Sequence, residues 1–127
     1  MQTKTKNILI TGCVLMALAV AIGAFGAHGL KEILLKNEKA DVFETGVKYH
    51  FYHAIAILFI GFISIHIQNK WIYRSFLLML IGIVFFSASL YVLAMTNTTI
   101  LGAITPIGGV LFLVGWAFLV VGIKKGN

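Results

Sequence analysis

The sequence predicts an all-α integral membrane protein, a four-helix bundle running up, down, up and down, and three observations carry that expectation. Four apolar stretches long enough to cross a bilayer contain no Asp, Glu, Lys or Arg. Of the 127 residues, 60% are hydrophobic and 11% charged, with a mean hydropathy of +0.99. A water-soluble domain needs about a quarter of its residues charged to cover its surface. Small residues also recur at intervals of seven within the stretches, the spacing that keeps one seam facing a neighbour in a left-handed bundle.

Taken in order, the spans cover about residues 8–27, 49–67, 76–95 and 106–123, all in a single transmembrane domain. Helices are required because open sheets leave backbone groups unsatisfied in hydrocarbon, and the runs lack the alternation of a barrel strand. The first run follows Lys4 and Lys6 and ends in small residues, as a signal peptide does. It is too long for a signal core, and three more spans follow. The string around Cys13 has too short an apolar run before it for a lipoprotein box, so this single cysteine is assigned to packing. Residues 30–48 mix Leu30, Ile33, Leu34, Val42, Phe43 and Val47 with charges, the composition of an amphipathic helix lying on the membrane between the first two spans. Thr105 before Pro106 has the form of an N-cap followed by proline in the first turn.

In the first span the small ridge is Gly12, Ala19 and Gly26, with a tighter set at Ala19, Gly23 and Ala27 that could serve a contact between copies. Ala54 and Gly61 continue it in the second span, Ser75, Gly82 and Ser89 in the third, and Gly108, Gly115 and Gly122 in the fourth.

The net charge of +6 comes from basic residues scattered singly at the ends of apolar runs, which fits membrane anchoring and excludes a nucleic-acid surface. Lys4, Lys6, Lys70, Arg74, Lys124 and Lys125 fall on one side of the four spans, and Lys31, Lys36, Lys39 and Lys48 on the other. Six against four places both termini on the cytoplasmic side of the plasma membrane. All four acids, Glu32, Glu38, Asp41 and Glu44, lie in the first long loop. Trp71 and Tyr73 suit the cytoplasmic interface, where His66 also snorkels, and Tyr49 and Tyr52 suit the opposite one.

One polar cluster is expected at the outer end. His28 closes the first span, His50 and His53 open the second, Ser87, Ser89 and Tyr91 lie near the end of the third, and Thr105 opens the fourth. His50 and His53 are three residues apart and share a helix face. Three readings stay open for the cluster. His53 is a neutral interhelical hydrogen-bond partner; or His28 and His53 ligate a metal or haem between helices; or Tyr49, His53 and Tyr91 bound a pocket for a lipid or quinone headgroup. No cofactor or metal is assigned. The spans hold no carboxylate for ion-coupled transport, and no phosphate-binding loop or recognisable nucleophile is present.

The strings Gly23-Ala24-Phe25-Gly26-Ala27-His28-Gly29, Tyr49-His50-Phe51-Tyr52-His53-Ala54, Phe86-Ser87-Ala88-Ser89-Leu90-Tyr91 and Ile104-Thr105-Pro106-Ile107-Gly108-Gly109, with Gly115-Trp116, follow one another in that order. Together they resemble the small multi-pass membrane proteins of the YgdD and YwdK type, a family of unknown function with eukaryotic relatives of the transmembrane protein 256 type. The resemblance spans nearly the whole chain and implies four spans. It maps the family's recurring histidines onto His28 and His53, while the position of His50 is often glutamine in relatives, which weakens a three-histidine metal site. Ser87-Ala88-Ser89 stands where many relatives resemble Ser-Gly-Ser. The resemblance implies no reaction. The functional expectation is therefore a non-enzymatic scaffold or lipid-interacting accessory subunit, with membrane lipids and either a second copy or other membrane proteins as partners. The rival is a small permease or a quinone- or haem-binding accessory protein.

Overall fold

A computed structural model describes all 127 residues. Its helices are α1 (Thr3–Ala27), α2 (Lys31–Lys36), α3 (Ala40–Ile63), α4 (Lys70–Thr96) and α5 (Thr105–Lys125). A five-residue π-helical segment, Val84–Ala88, interrupts α4, and a 3-10 turn, Thr99–Ala103, leads into α5. Four of these elements are long and apolar enough to span a membrane, and they form a four-helix membrane bundle.

The bundle consists of two close antiparallel pairs, α1 with α3 and α4 with α5, joined where α3 packs on α4. The register is visible at the glycines. A Cβ on Gly12 would lie 2.6 Å from Leu58, and one on Gly61 would lie 2.6 Å from Leu9. In the other pair Gly82 receives Phe112, Gly115 receives Leu78 and Met79, and Gly122 receives Ile72. The closest approach of one backbone to another is at Gly108, where an added Cβ would overlap the backbone of Phe86 inside the π-helical segment. Of the tighter set in α1, Ala19 is buried and Gly23 rests against Val47, while Ala27 is exposed. Ile8, Ile57, Ile60, Ile72, Phe76, Met79, Ile83, Phe112 and Leu119 form the main core. A smaller one, Leu34, Phe43, Tyr91 and Ala94, lies under α2. Over most of its length α1 rests on α3 alone, and the backbones of α3 and α5 stay apart.

Several boundaries differ from those expected. The stretch 30–48 is not one interfacial helix: α2 has only six residues, and α3 already begins at Ala40. Hydropathy places the start of this span at Tyr49 because Asp41, Glu44 and Lys48 interrupt the apolar run. Those three are exposed, while Phe43, Gly46, His50 and His53 are buried, so one helical face carries the charges and the other continues into the core. Lys70 and Arg74 hide the start of α4 in the same way, being exposed beside buried Ile72 and Ser75. Thr105 is the first residue of α5 and not its N-cap; the cap position is Ile104, and the Thr105 side chain is bonded elsewhere. Cys13 is exposed on the lipid side of α1 and does not pack in the core.

Side-chain amides and hydroxyls close the ends of the helices. Asn69 accepts from the N–H groups of Trp71 and Ile72, capping α4, and donates to the carbonyls of Gly122 at 2.9 Å and Gly126 at 2.6 Å. Asn37 donates to the Ala94 and Met95 carbonyls at 3.0 and 3.1 Å, tying the α2–α3 turn to the end of α4. Ser64 donates to Thr5 Oγ1 at 2.9 Å and Ser75 to the Gly115 carbonyl at 2.7 Å.

Gly108→Ala should destabilise the protein by about 1–3 kcal/mol, the usual cost of overfilling a packed contact, whereas Gly102→Ala, with nothing within 4 Å of its added carbon, should be neutral. Thermal unfolding of the two variants in one detergent checks the difference, and equal melting temperatures would show that the α4–α5 contact is not close.

Candidate functional site

His50 and His53 do not open the second long helix. They lie ten and thirteen residues after the start of α3 at Ala40, about 15 and 20 Å along its axis at 1.5 Å per residue. Both are buried, and each is held by a different neighbour.

His53 bridges α3 to α5. Its Nδ1 lies 2.8 Å from the Tyr49 carbonyl, and the indole N–H of Trp116 donates to its Nε2 at 3.1 Å. The ring stacks on Phe112, centroids 3.5 Å apart and planes 9° apart. A carbonyl can only accept, so Nδ1 carries the proton, and Nε2 must be bare to accept from Trp116. The partners therefore assign a neutral ring in one tautomer. Its only lone pair is occupied, which leaves His53 nothing to offer a metal.

His50 turns to α4. Its Nδ1 lies 2.8 Å from the Tyr91 hydroxyl, which donates to the Gly46 carbonyl at 3.3 Å. Gly46 makes this fit: a Cβ there would meet the Tyr91 ring at 2.9 Å. The second nitrogen, Nε2, is buried and has no hydrogen-bond partner. Ser87, in the π-helical segment, is fully buried, and its hydroxyl also lacks a partner. Gly46 lies against Leu90 and Tyr91, so the antiparallel register puts Ser87 at the depth of His50. These two are the only buried side-chain polar atoms without a bond.

The remaining residues do not bond to His50 Nε2 or the Ser87 hydroxyl. Ser89 shares a hydrogen bond with Thr105 at 2.8 Å and donates to the Phe86 carbonyl, linking α4 to the start of α5. Tyr49 is partly exposed and packs on Phe86, ring centroids 4.6 Å apart. His28 is exposed just beyond the end of α1. Gly26 lies against Phe43, so His28 sits near the start of α3 and His53 is about 18 Å deeper. The expected single cluster is thus corrected: His28 stands apart, and the others divide into a His53 bond to α5, a His50 bond to α4, and a Ser89–Thr105 link.

The family profile described as "Protein of unknown function (DUF423)" matches residues 22–109, more than half of the chain. The chain belongs to this family. Among DUF423 relatives it is 48% identical to the UPF0382 membrane protein of Staphylococcus saprophyticus, over 94% of this chain and 98% of that one. It is 43% identical to UPF0382 membrane protein YwdK of Bacillus subtilis, again over 94% and 98%. With UPF0382 inner membrane protein YgdD of Escherichia coli it shares 37% identity over 93% of this chain and 89% of that one. No solved structure gives a significant match. The family is uncharacterised, and its name denotes no enzyme.

In this DUF423 member the sequence reading missed Trp116, Phe112 and the amide stitches at Asn37 and Asn69. Two signals were available. Trp116 stands ten residues from the start of the apolar run and seven from its end, too deep for an interfacial anchor, so its N–H needed a buried acceptor. Asn69 directly precedes an apolar helix, the ordinary place for a cap.

Trp116→Phe and His53→Gln, alone and together, should yield a coupling energy of about 0.6 kcal/mol, and no more than about 1.7, the range measured between transmembrane helices. A double-mutant cycle on unfolding in detergent measures it. Zero coupling would mean that the two side chains do not bond.

Proposed function

We propose that this DUF423 protein is a non-catalytic scaffold of the cytoplasmic membrane with both termini on the cytoplasmic side. The observation that carries the reading is the occupancy of His53. Its Nε2 and a ring face are taken up in joining α3 to α5, and its Nδ1 is spent on the Tyr49 carbonyl within α3, so this histidine holds helices and has no free electron pair for chemistry. The Ser75–Gly115, Asn69–Gly122 and Asn37–Ala94 bonds follow the same pattern, each spending its polar group between elements. The orientation rests on the lysines and arginine. The termini and the α3–α4 turn lie together at one end, as the bonds from Asn127 to His66 and Gln68 require, and that end carries the larger share of positive charge.

A second reading has its own observation. His50 Nε2 and Ser87 Oγ are unpartnered at one depth, beside a π-helical turn of the kind often found at functional positions. They favour a small polar guest between α1, α3 and α4, held by His50 and Ser87 in place of the His28 and His53 pair.

Native mass spectrometry of protein released gently from membranes separates the two. The scaffold gives polypeptide with lipid only. A stoichiometric metal, haem or quinone mass that disappears in His50→Leu would overturn it in favour of the guest.

For the orientation, Glu32→Cys in a Cys13→Ser background should react with an impermeant thiol reagent applied outside intact cells, and Gln2→Cys should not. The opposite labelling would reverse the topology.

A further inference from the structure

We infer that the basic end of the bundle is a binding site for the phosphate headgroup of an anionic phospholipid. A cleft of about 750 Å³ opens there, between the first turns of α1 and α4 and the turn that joins α3 to α4. Its size falls within the range of about 300–1,000 Å³ usual for small-ligand sites. Lys4, Lys70 and Arg74 line it and no carboxylate does. Gln2 and Gln68 add neutral hydrogen-bonding groups, and Ile8 supplies an apolar wall.

No acidic side chain balances the positive charge at this end. Around the Trp71 ring lie Lys70 Nζ at 5.5 Å, Lys125 Nζ at 5.9 Å and the Arg74 guanidinium at 6.0 Å, while Lys4 Nζ stands 5.1 Å from the centre of the Tyr73 ring. All four acids belong to the opposite end, and so does the one ion pair, Glu44 with Lys48 at 3.6 Å. Cations gathered this closely repel one another unless an anion comes between them. Trp71 and Tyr73 hold the cleft at headgroup depth, where the abundant anion is a lipid phosphate. The site goes beyond the scaffold reading by naming a ligand, and it depends on that reading only for the bilayer around it.

The test uses the full chain in nanodiscs of phosphatidylcholine with or without phosphatidylglycerol, followed by native mass spectrometry of the lipid retained. One phosphatidylglycerol per chain should remain in preference to phosphatidylcholine. Lys4→Gln, Lys70→Gln and Arg74→Gln combined should weaken that retention about a hundredfold, since each cation near a charged surface contributes severalfold. The control, Lys31→Gln, Lys36→Gln and Lys39→Gln combined, removes equal charge from the other end and should change nothing. Without any substitution, raising the salt concentration should release phosphatidylglycerol selectively. Equal retention of the two lipids, equal loss in the control, or retention indifferent to salt would overturn the assignment. Displacement of the lipid by inorganic phosphate would also overturn it, making the cleft a site for the free ion. A cofactor lost in His50→Leu would remove the scaffold reading and leave the lipid result standing.

Discussion

Lipid chains are as apolar as leucine, so burying one helix against another gains little from the hydrophobic effect inside a bilayer. Association must come from close contact and from hydrogen bonds, and both depend here on where side chains are missing. At Gly12, Gly61, Gly82 and Gly122 the absent Cβ leaves a hollow that a large neighbour fills. At Gly108 it lets one backbone come directly onto another. The two tight pairs exist because of these hollows, and the polar groups then find carbonyls within reach. Ser75 can bond the Gly115 carbonyl because Gly115 brings α5 that near.

Where no glycine draws the helices together, aromatic rings fill the distance. The space between α3 and α5 is occupied by Tyr49, His53, Phe112 and Trp116, stacked or edge-on to one another. A histidine suits that position because it combines a flat face for stacking with two nitrogens of opposite role. Phenylalanine would keep the stack and strand the Trp116 N–H. Partial exposure of Trp116 to lipid does not relieve it, since hydrocarbon accepts no hydrogen bond.

The number and order of the spans were legible because hydropathy over some twenty residues is a strong signal. The helix ends were not, since a sliding average cannot distinguish charges that end a helix from charges on its exposed face; Asp41, Glu44 and Lys48 are of the second kind. A run of hydropathy alone therefore sets His50 and His53 at a boundary beside His28, although in the helix that begins at Ala40 they lie mid-helix. The partition between Tyr91 and Trp116 follows from which face each histidine occupies, and spacing alone leaves the identity of the facing helix open. The basic cleft escaped notice for a related reason. Its residues come from α1 and α4, and the sequence shows them only as isolated anchors.

The π-helical segment in α4 gives this architecture a memory of its length. A wide turn holds one residue more than the α-helical ladder needs, so the parts of α4 before and after it are out of phase with an uninterrupted helix. Loss of a single residue there would keep the span apolar and long enough, yet would rotate Ser89–Thr96 by about 100° about the axis. Ser89 would turn from Thr105, Tyr91 from His50, and the Ala94 carbonyl from Asn37. Hydropathy would register no change. The bundle is therefore indifferent to which apolar residue faces lipid, while a change of length within α4 is tolerated only where a second change restores the phase.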